Sequence, residues 1–190
     1  LLNHIHDEFN KIGLNHDLVQ MISNPPSKEK TYHLMQMADM LVVTGSQSNV
    51  RAAYSSGTPA IGVGVGNVVT IIDETADIDD AAQKIQRSKC FDNATSCSSE
   101  NALIVVDSVY DKFVSALIDV GGMLLDDIQT NHLISTHWKD GHLNRNLLAQ
   151  DIDVVLKTLD LAEAAPSGTK FLVAPSKGIG PDYPVSGEKM

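Results

Sequence analysis

The sequence predicts an α/β fold with a parallel sheet covered by helices, and two observations carry that expectation. Short apolar runs, strand-like in length, alternate along the chain with segments whose apolar residues recur at helical spacing. Runs such as Asp39-Met-Leu-Val-Val-Thr44 and Ala102-Leu-Ile-Val-Val-Asp107 are almost continuously apolar, as strands buried on both faces are. With 190 residues, 43% of them hydrophobic, the chain has material for one good-sized core or two small ones.

The elements follow in order. Leu2, Ile5, Phe9 and Ile12 stand at helical spacing, and Gly13 follows at a natural C-cap position, so residues 1–12 read as an amphipathic helix. Leu18-Val-Gln-Met-Ile22 reads as a short strand. Asn24-Pro-Pro-Ser27 breaks the chain, and Ser27 caps a helix that includes residues 30–37. Residues 39–44 form a buried strand, and Gly45 opens a turn into a helix that ends near Gly57, with Pro59 preventing continuation. A strand-like run resumes at 59–65. The acidic stretch 73–80 starts a helix through about Lys89, its carboxylates complementing the helix dipole. Residues 102–107 are an emphatic strand, followed by a helix over 109–121 with Phe113, Leu117 and Val120 on one side. A polar stretch then holds the sole tryptophan, Trp138; residues 151–164 read as a helix, 170–174 as a strand, and the chain beyond Pro175 as loop.

Charge and composition exclude several function classes. The formal net charge of -10, with no basic run, argues against binding a phosphate backbone as a main function. No apolar stretch approaches the roughly 20 residues a bilayer span needs, and the start lacks a signal-peptide pattern, so the chain reads as cytoplasmic and free of the membrane. Two cysteines, Cys90 and Cys97, are too few for a disulfide framework, and neither their spacing nor that of the seven histidines matches a zinc pattern, so no metal is expected.

Cys97 is the candidate for chemistry. A free cysteine is commonly a buried, inert hydrophobe. Here Asn93, Thr95, Ser96, Ser98 and Ser99 surround it with small polar side chains, which suits an accessible thiol. Upstream, Thr44-Gly-Ser46 between a strand and a helix can offer backbone amides and a dipole end to a pyrophosphate, although a plain strand-to-helix turn has the same residues. Gly62-Val-Gly-Val-Gly-Asn67 has the alternate glycines of a backbone that something approaches closely; a crowded strand would have them too.

Two stretches, ADMLVVTGSQSNVRAAYSSGTPAIGVGVGN and SKCFDNATSCSSENALIVVDSVYD, closely resemble the aldehyde dehydrogenase superfamily. Within it they are most similar to the CoA-acylating branch, of acetaldehyde, sulfoacetaldehyde or succinate-semialdehyde type. The likeness extends more loosely to the ending Pro184-Val-Ser-Gly-Glu-Lys-Met190, which looks like the family's HEKL segment. The resemblance implies a three-layer αβα architecture and a fragment of a longer protein. Residues 1–73 would be the C-terminal half of a Rossmann-type NAD-binding domain, and 74–190 a catalytic domain with a parallel sheet, truncated at its C-terminal end. It also implies a homo-oligomer at full length.

The resemblance further assigns roles. Cys97 matches the nucleophile that attacks the aldehyde, with its own backbone amide as oxyanion donor and NAD or NADP as hydride acceptor. Thr44, Gly45 and Ser46 match the turn near the cofactor pyrophosphate, Gly64 lies in the second glycine stretch of the cofactor site, and Glu188 matches the carboxylate that holds the nicotinamide ribose. Hydrolytic members carry Glu-Leu-Gly-Gly where this chain has Ile61-Gly-Val-Gly64, so their general base is missing and coenzyme A becomes the expected acyl acceptor. Many acylating members have His where this chain has Gly187, and the small Ser186 and Gly187 leave room for a polar aldehyde tail. Two alternatives stand beside this reading: a hydrolytic enzyme in which another residue activates water, and a catalytically silent structural subunit.

Overall fold

The computed structural model describes residues 1–64, 66–139, 142–180 and 182–187. The chain falls into two units, Leu1–Val65 and Gly66–Met190. The class is α/β as expected, and three of the four strand pairs among the described residues are parallel.

In the first unit, helix α1 (Leu2–Ile12) ends at Gly13, whose φ of 71° is the left-handed cap conformation. Helix α2 (Lys28–Met37) begins where Ser27 accepts a hydrogen bond from the Lys30 amide at 3.1 Å. Strand β1 (Leu41–Thr44), helix α3 (Gln47–Tyr54) and strand β2 (Ala60–Val63) complete a β-α-β unit, with β1 and β2 parallel and Leu41 opposite Ala60. Its small core joins Met35, Leu41 and Ala53 with Ala38, Val43 and Ala60.

Two expectations are corrected here. Residues 18–22 form no strand: a single 3-10 turn, His16–Leu18, closes over the Asn15 side chain, and Leu18 and Met21 remain exposed. An apolar run becomes a strand only where a neighbour completes its ladder, and among the described residues none pairs with it. The strand at 39–44 starts at Leu41 and is not buried on both faces, since Val42 is 75% exposed.

The second unit runs through strand β3 (Val68–Ile72), helix α4 (Ile78–Lys89), strand β4 (Glu100–Val105), helix α5 (Tyr110–Asp119), strand β5 (Gly122–Leu124), helix α6 (Asp127–His137), the antiparallel pair β6 (Trp138–Lys139) and β7 (His142–Leu143), helix α7 (Ile152–Thr158) and strand β8 (Phe171–Val173). β3 pairs with β4 and β5 with β8, both in parallel. Ile72, Ile78, Ala82, Ile85, Phe113, Ala116 and Leu117 form one core, and α4 and α5 press it against Leu103 and Val105 of β4 and Phe171 and Val173 of β8. A second core gathers Met123, Leu125, Leu133, Leu156, Leu159 and Leu161.

The acidic stretch divides its labour. Asp73 accepts from the Thr75 hydroxyl at 2.7 Å and amide at 2.9 Å, bonds that hold its carboxyl below the usual carboxylate range. Asp77 is the cap of α4, accepting from the Asp80 amide at 3.1 Å, so the helix starts at Ile78 and not at the first acidic residue. Strand β3 was not foreseen, although Val68-Val-Thr-Ile-Ile72 is strongly β-branched. Helix α6 was also missed: it lacks an apolar face in sequence but starts with a capping box, Asp126 accepting from the Gln129 amide and Gln129 accepting from the Asp126 amide. The helix expected over 151–164 stops at Thr158, because Asp160 turns left-handed at φ 53° and the Leu161 amide reaches back to the Leu156 carbonyl.

Candidate active site

In the first unit the structure brings Thr44, Gly45, Ser46 and Gly64 together. Thr44 ends β1 opposite Val63, and the Gly45 amide donates to the Val63 carbonyl at 3.2 Å, which sets Gly64 beside the turn. Gly45 adopts φ 136°, a conformation side chains avoid. Ser46 caps α3, its hydroxyl accepting from the Asn49 amide at 3.3 Å and bonded to the Ser48 hydroxyl at 2.9 Å. Thr44, Gly45 and Ser46 are all exposed, and the helix start leaves its first amides without intrahelical partners.

The neighbouring glycine has a packing reason. A Cβ on Gly62 would lie 2.6 Å from Val50 Cγ1 and 3.1 Å from the Tyr54 ring, because α3 lies directly on β2. The Gly62 amide also donates to the Tyr54 hydroxyl at 3.0 Å. Gly62→Ala is therefore expected to cost about 1–3 kcal/mol by overpacking, measured by chemical denaturation; an unchanged midpoint would show that the contact is slack.

Cys97 lies in the second unit, in the loop 90–99 between α4 and β4. The Ser99 amide donates to the Ser96 carbonyl at 3.0 Å, so Cys97 is the second residue of a tight turn. Ser96 and Ser98 join hydroxyls at 2.8 Å, Ser99 is buried beneath, and Cys97 is exposed. Cys90, half-buried with its Sγ 3.7 Å from the Lys170 carbonyl, is the less accessible thiol. The thiol that sequence reasoning singled out is thus the one presented to solvent.

The loop's backbone is unusual before it reaches Cys97. Asp92, Asn93 and Ala94 have φ of 49°, 51° and 61°, three consecutive left-handed residues without a glycine. The Thr95 hydroxyl donates to the Asp92 carbonyl and, at 2.8 Å, to its carboxylate. Asn93 Nδ2 donates to Asp151 Oδ1 at 2.9 Å and to the Ala149 carbonyl at 3.4 Å. At the loop's base Lys89 Nζ donates to Asn101 Oδ1 at 2.9 Å. Burial pulls the Lys89 ammonium below its usual range, while Glu100 and Cys90 nearby oppose that shift.

Loop and strands border an open groove of about 1750 Å³, lined among others by Lys89, Cys90, Asn93, Leu103, Phe171 and Ser186; Cys97 is not in its lining. Asn67 Nδ2 donates to the Ser186 carbonyl at 3.0 Å, fixing the segment that holds Ser186 and Gly187. Glu188 lies outside the described residues. Sequence reasoning missed Lys89, Asn67, Asn101 and Asp151 as parts of this region. No helix among the described residues is long and apolar enough to cross a membrane.

Comparison with known proteins identifies the family. A sequence model of the aldehyde dehydrogenase family matches residues 3–124. The acylating sulfoacetaldehyde dehydrogenase of Cupriavidus necator is 49% identical over 190 residues, which is 100% of this chain and 38% of that protein. An acetylating aldehyde dehydrogenase from Geobacillus thermoglucosidasius superposes with a TM-score of 0.79 at 37% identity, covering 84% of this chain and 35% of that one. Rhodopseudomonas palustris propionaldehyde dehydrogenase with bound propionyl-CoA gives a TM-score of 0.71 at 28% identity, covering 78% of this chain and 33% of that one. The chain thus spans about a third of the length of these three proteins.

Proposed function

Because the chain belongs to the aldehyde dehydrogenase family, we propose that it is part of a CoA-acylating enzyme that oxidises an aldehyde to an acyl-CoA through a thioester on Cys97. The observation that carries this reading is the exposure of Cys97 at a tight turn, in a chain 49% identical to an acylating dehydrogenase.

In this mechanism the Cys97 sulfur bonds to the aldehyde carbon, and the carbonyl electron pair moves onto oxygen, where the Cys97 amide donates a hydrogen bond. NAD or NADP, when bound, would supply the acceptor for the hydride that leaves that carbon. The oxygen's electron pair reforms the carbonyl, leaving a thioester on Cys97. Coenzyme A sulfur then attacks the thioester carbon, its thiol proton passing to solvent, and Cys97 departs as thiolate. The exposed turn at Thr44, Gly45 and Ser46, with Gly64 alongside, fits a pyrophosphate: Gly45 offers no side chain there and the start of α3 offers amides. Glu188 would hold the nicotinamide ribose. Ile61-Gly-Val-Gly64 supplies no carboxylate to activate water, which favours transfer to a thiol over hydrolysis.

In this reading the first unit, Leu1–Val65, belongs to the Rossmann-type NAD domain expected over residues 1–73, and the pairing of β3 with β4 favours placing the boundary before Val68 instead of after residue 73. An aldehyde with an anionic tail, sulfoacetaldehyde first, suits the small Ser186 and Gly187. In this reading the working enzyme is a cytoplasmic homo-oligomer of the relatives' chain length, since this chain covers 38% of the Cupriavidus necator protein, and the 190 residues alone are expected to give negligible turnover. The test is NAD(P)H formation from sulfoacetaldehyde by the relatives-length protein, with and without CoA. Turnover that requires CoA and yields the acyl thioester is expected. Equal rates without CoA, with free acid as product, would overturn the acylating assignment.

A further inference from the structure

We propose that Lys89 and Asn93 are positioning residues that grip the loop 90–99 at its base and its bend, and so set the direction in which Cys97 presents its sulfur. The inference rests on the reading of Cys97 as nucleophile. Three consecutive non-glycine residues at φ 49°, 51° and 61° are each unfavourable by roughly 1 kcal/mol or more, so the surroundings must impose that conformation. Within the loop, the Thr95 amide and hydroxyl bond back to Asp92.

The outside holds come from elements distant in sequence. Asn93 Nδ2 bonds Asp151 Oδ1 and the Ala149 carbonyl, and Ala149 is itself left-handed at φ 55°. The last residue of α4, Lys89, bonds Asn101 in β4, joining the two chain segments between which the loop leaves and returns. Glu100 Oε2 is buried without a hydrogen-bond partner, so the Lys89 charge beside it also makes that carboxylate tolerable there. A plain capping role for Lys89 at the negative end of α4 would account for its position but not for its bond into β4.

The test uses Lys89→Met and Asn93→Gly in the relatives-length enzyme, with kcat normalised to the number of Cys97 thiols that a stoichiometric alkylating agent titrates. Glycine keeps the left-handed backbone open to residue 93 while removing the side-chain amide bonds, so a fall in that variant does not come from steric strain at that φ. Each variant is expected to lose about 10²-fold in kcat per titrated thiol, with KM for the aldehyde within about twofold, as misplacement of a reacting atom by about 1 Å does. A merely structural role would lower the number of titratable thiols and leave the rate per thiol unchanged, which would overturn the proposal. If Lys89→Met does not fold, Asn93→Gly alone decides. Cys97→Ser in parallel separates the two layers: an inactive Cys97→Ser with fully active grip variants sinks only this inference, whereas an active Cys97→Ser sinks the nucleophile reading beneath it.

Discussion

Replacing Cys97 by serine is expected to abolish aldehyde-dependent NAD(P)H formation by the relatives-length enzyme, by roughly 10⁴-fold or more. The substitution changes one atom on an exposed turn residue, so folding should be untouched. Chemically the change is large. A thiol is a few per cent thiolate near neutral pH and intrinsically nucleophilic, whereas a serine hydroxyl without a paired base is neither. Cys90→Ser is the matched control, because that half-buried thiol contacts the Lys170 carbonyl instead of solvent and should leave turnover in place. A burst of NAD(P)H in the absence of CoA, one per wild-type Cys97, would register thioester formation directly. Residual activity of Cys97→Ser above a tenth of wild type would rule out Cys97 as the nucleophile, and a wild type with no activity at all would return the chain to the class of silent structural subunits.

Phe113→Ala is expected to destabilise the second unit by about 3–5 kcal/mol, the range for truncating a fully enclosed aromatic. Phe113 is 0% exposed and sits where α4, α5, β4 and β8 converge, among Ile72, Ile85, Ala116 and Leu117. The surroundings have little freedom to collapse into the space. A Cβ on Gly122 would already lie 2.7 Å from the Leu117 carbonyl oxygen and 3.0 Å from the Phe171 ring, so the backbone there is as close as it can come. The midpoint of thermal unfolding should fall on the order of 10–20 °C. Ile118→Ala, one position past the core on the same helix and 46% exposed, should cost under about 1 kcal/mol. Similar losses for the two would show that Phe113 is not the centre of this core.

Where a single element supplies both its pattern and its punctuation, the sequence was enough. Helix α1 has its apolar spacing and Gly13; α2 has Ser27; α5 has Phe113 and Leu117 on one side. The local features of the candidate residues were legible to the same degree. Gly45 and Ser46 are turn and cap residues whose chemistry is local, and the small polar neighbours of Cys97 foretold its exposure.

Errors fell where a segment's state depends on a distant partner. Leu18-Val-Gln-Met-Ile22 is as apolar as a strand, yet among the described residues nothing pairs with it. Val68-Val-Thr-Ile-Ile72 went unread and became β3 because β4, about thirty residues on, completes its ladder. The pattern over 151–164 could not disclose that Asp160 would turn left-handed and end α7.

By itself, then, the sequence determined the α/β class, the family and the absence of a carboxylate in Ile61-Gly-Val-Gly64, since each is a property of residue type and local spacing. Tertiary structure alone decided the left-handed run at 92–94, the bond from Asn93 to Asp151 and the bond from Lys89 to Asn101 around the loop that carries Cys97, and the tie from Asn67 to the Ser186 segment. Such bonds leave no periodic trace, because they join side chains from segments 12 to 119 residues apart that meet only after the apolar faces have packed.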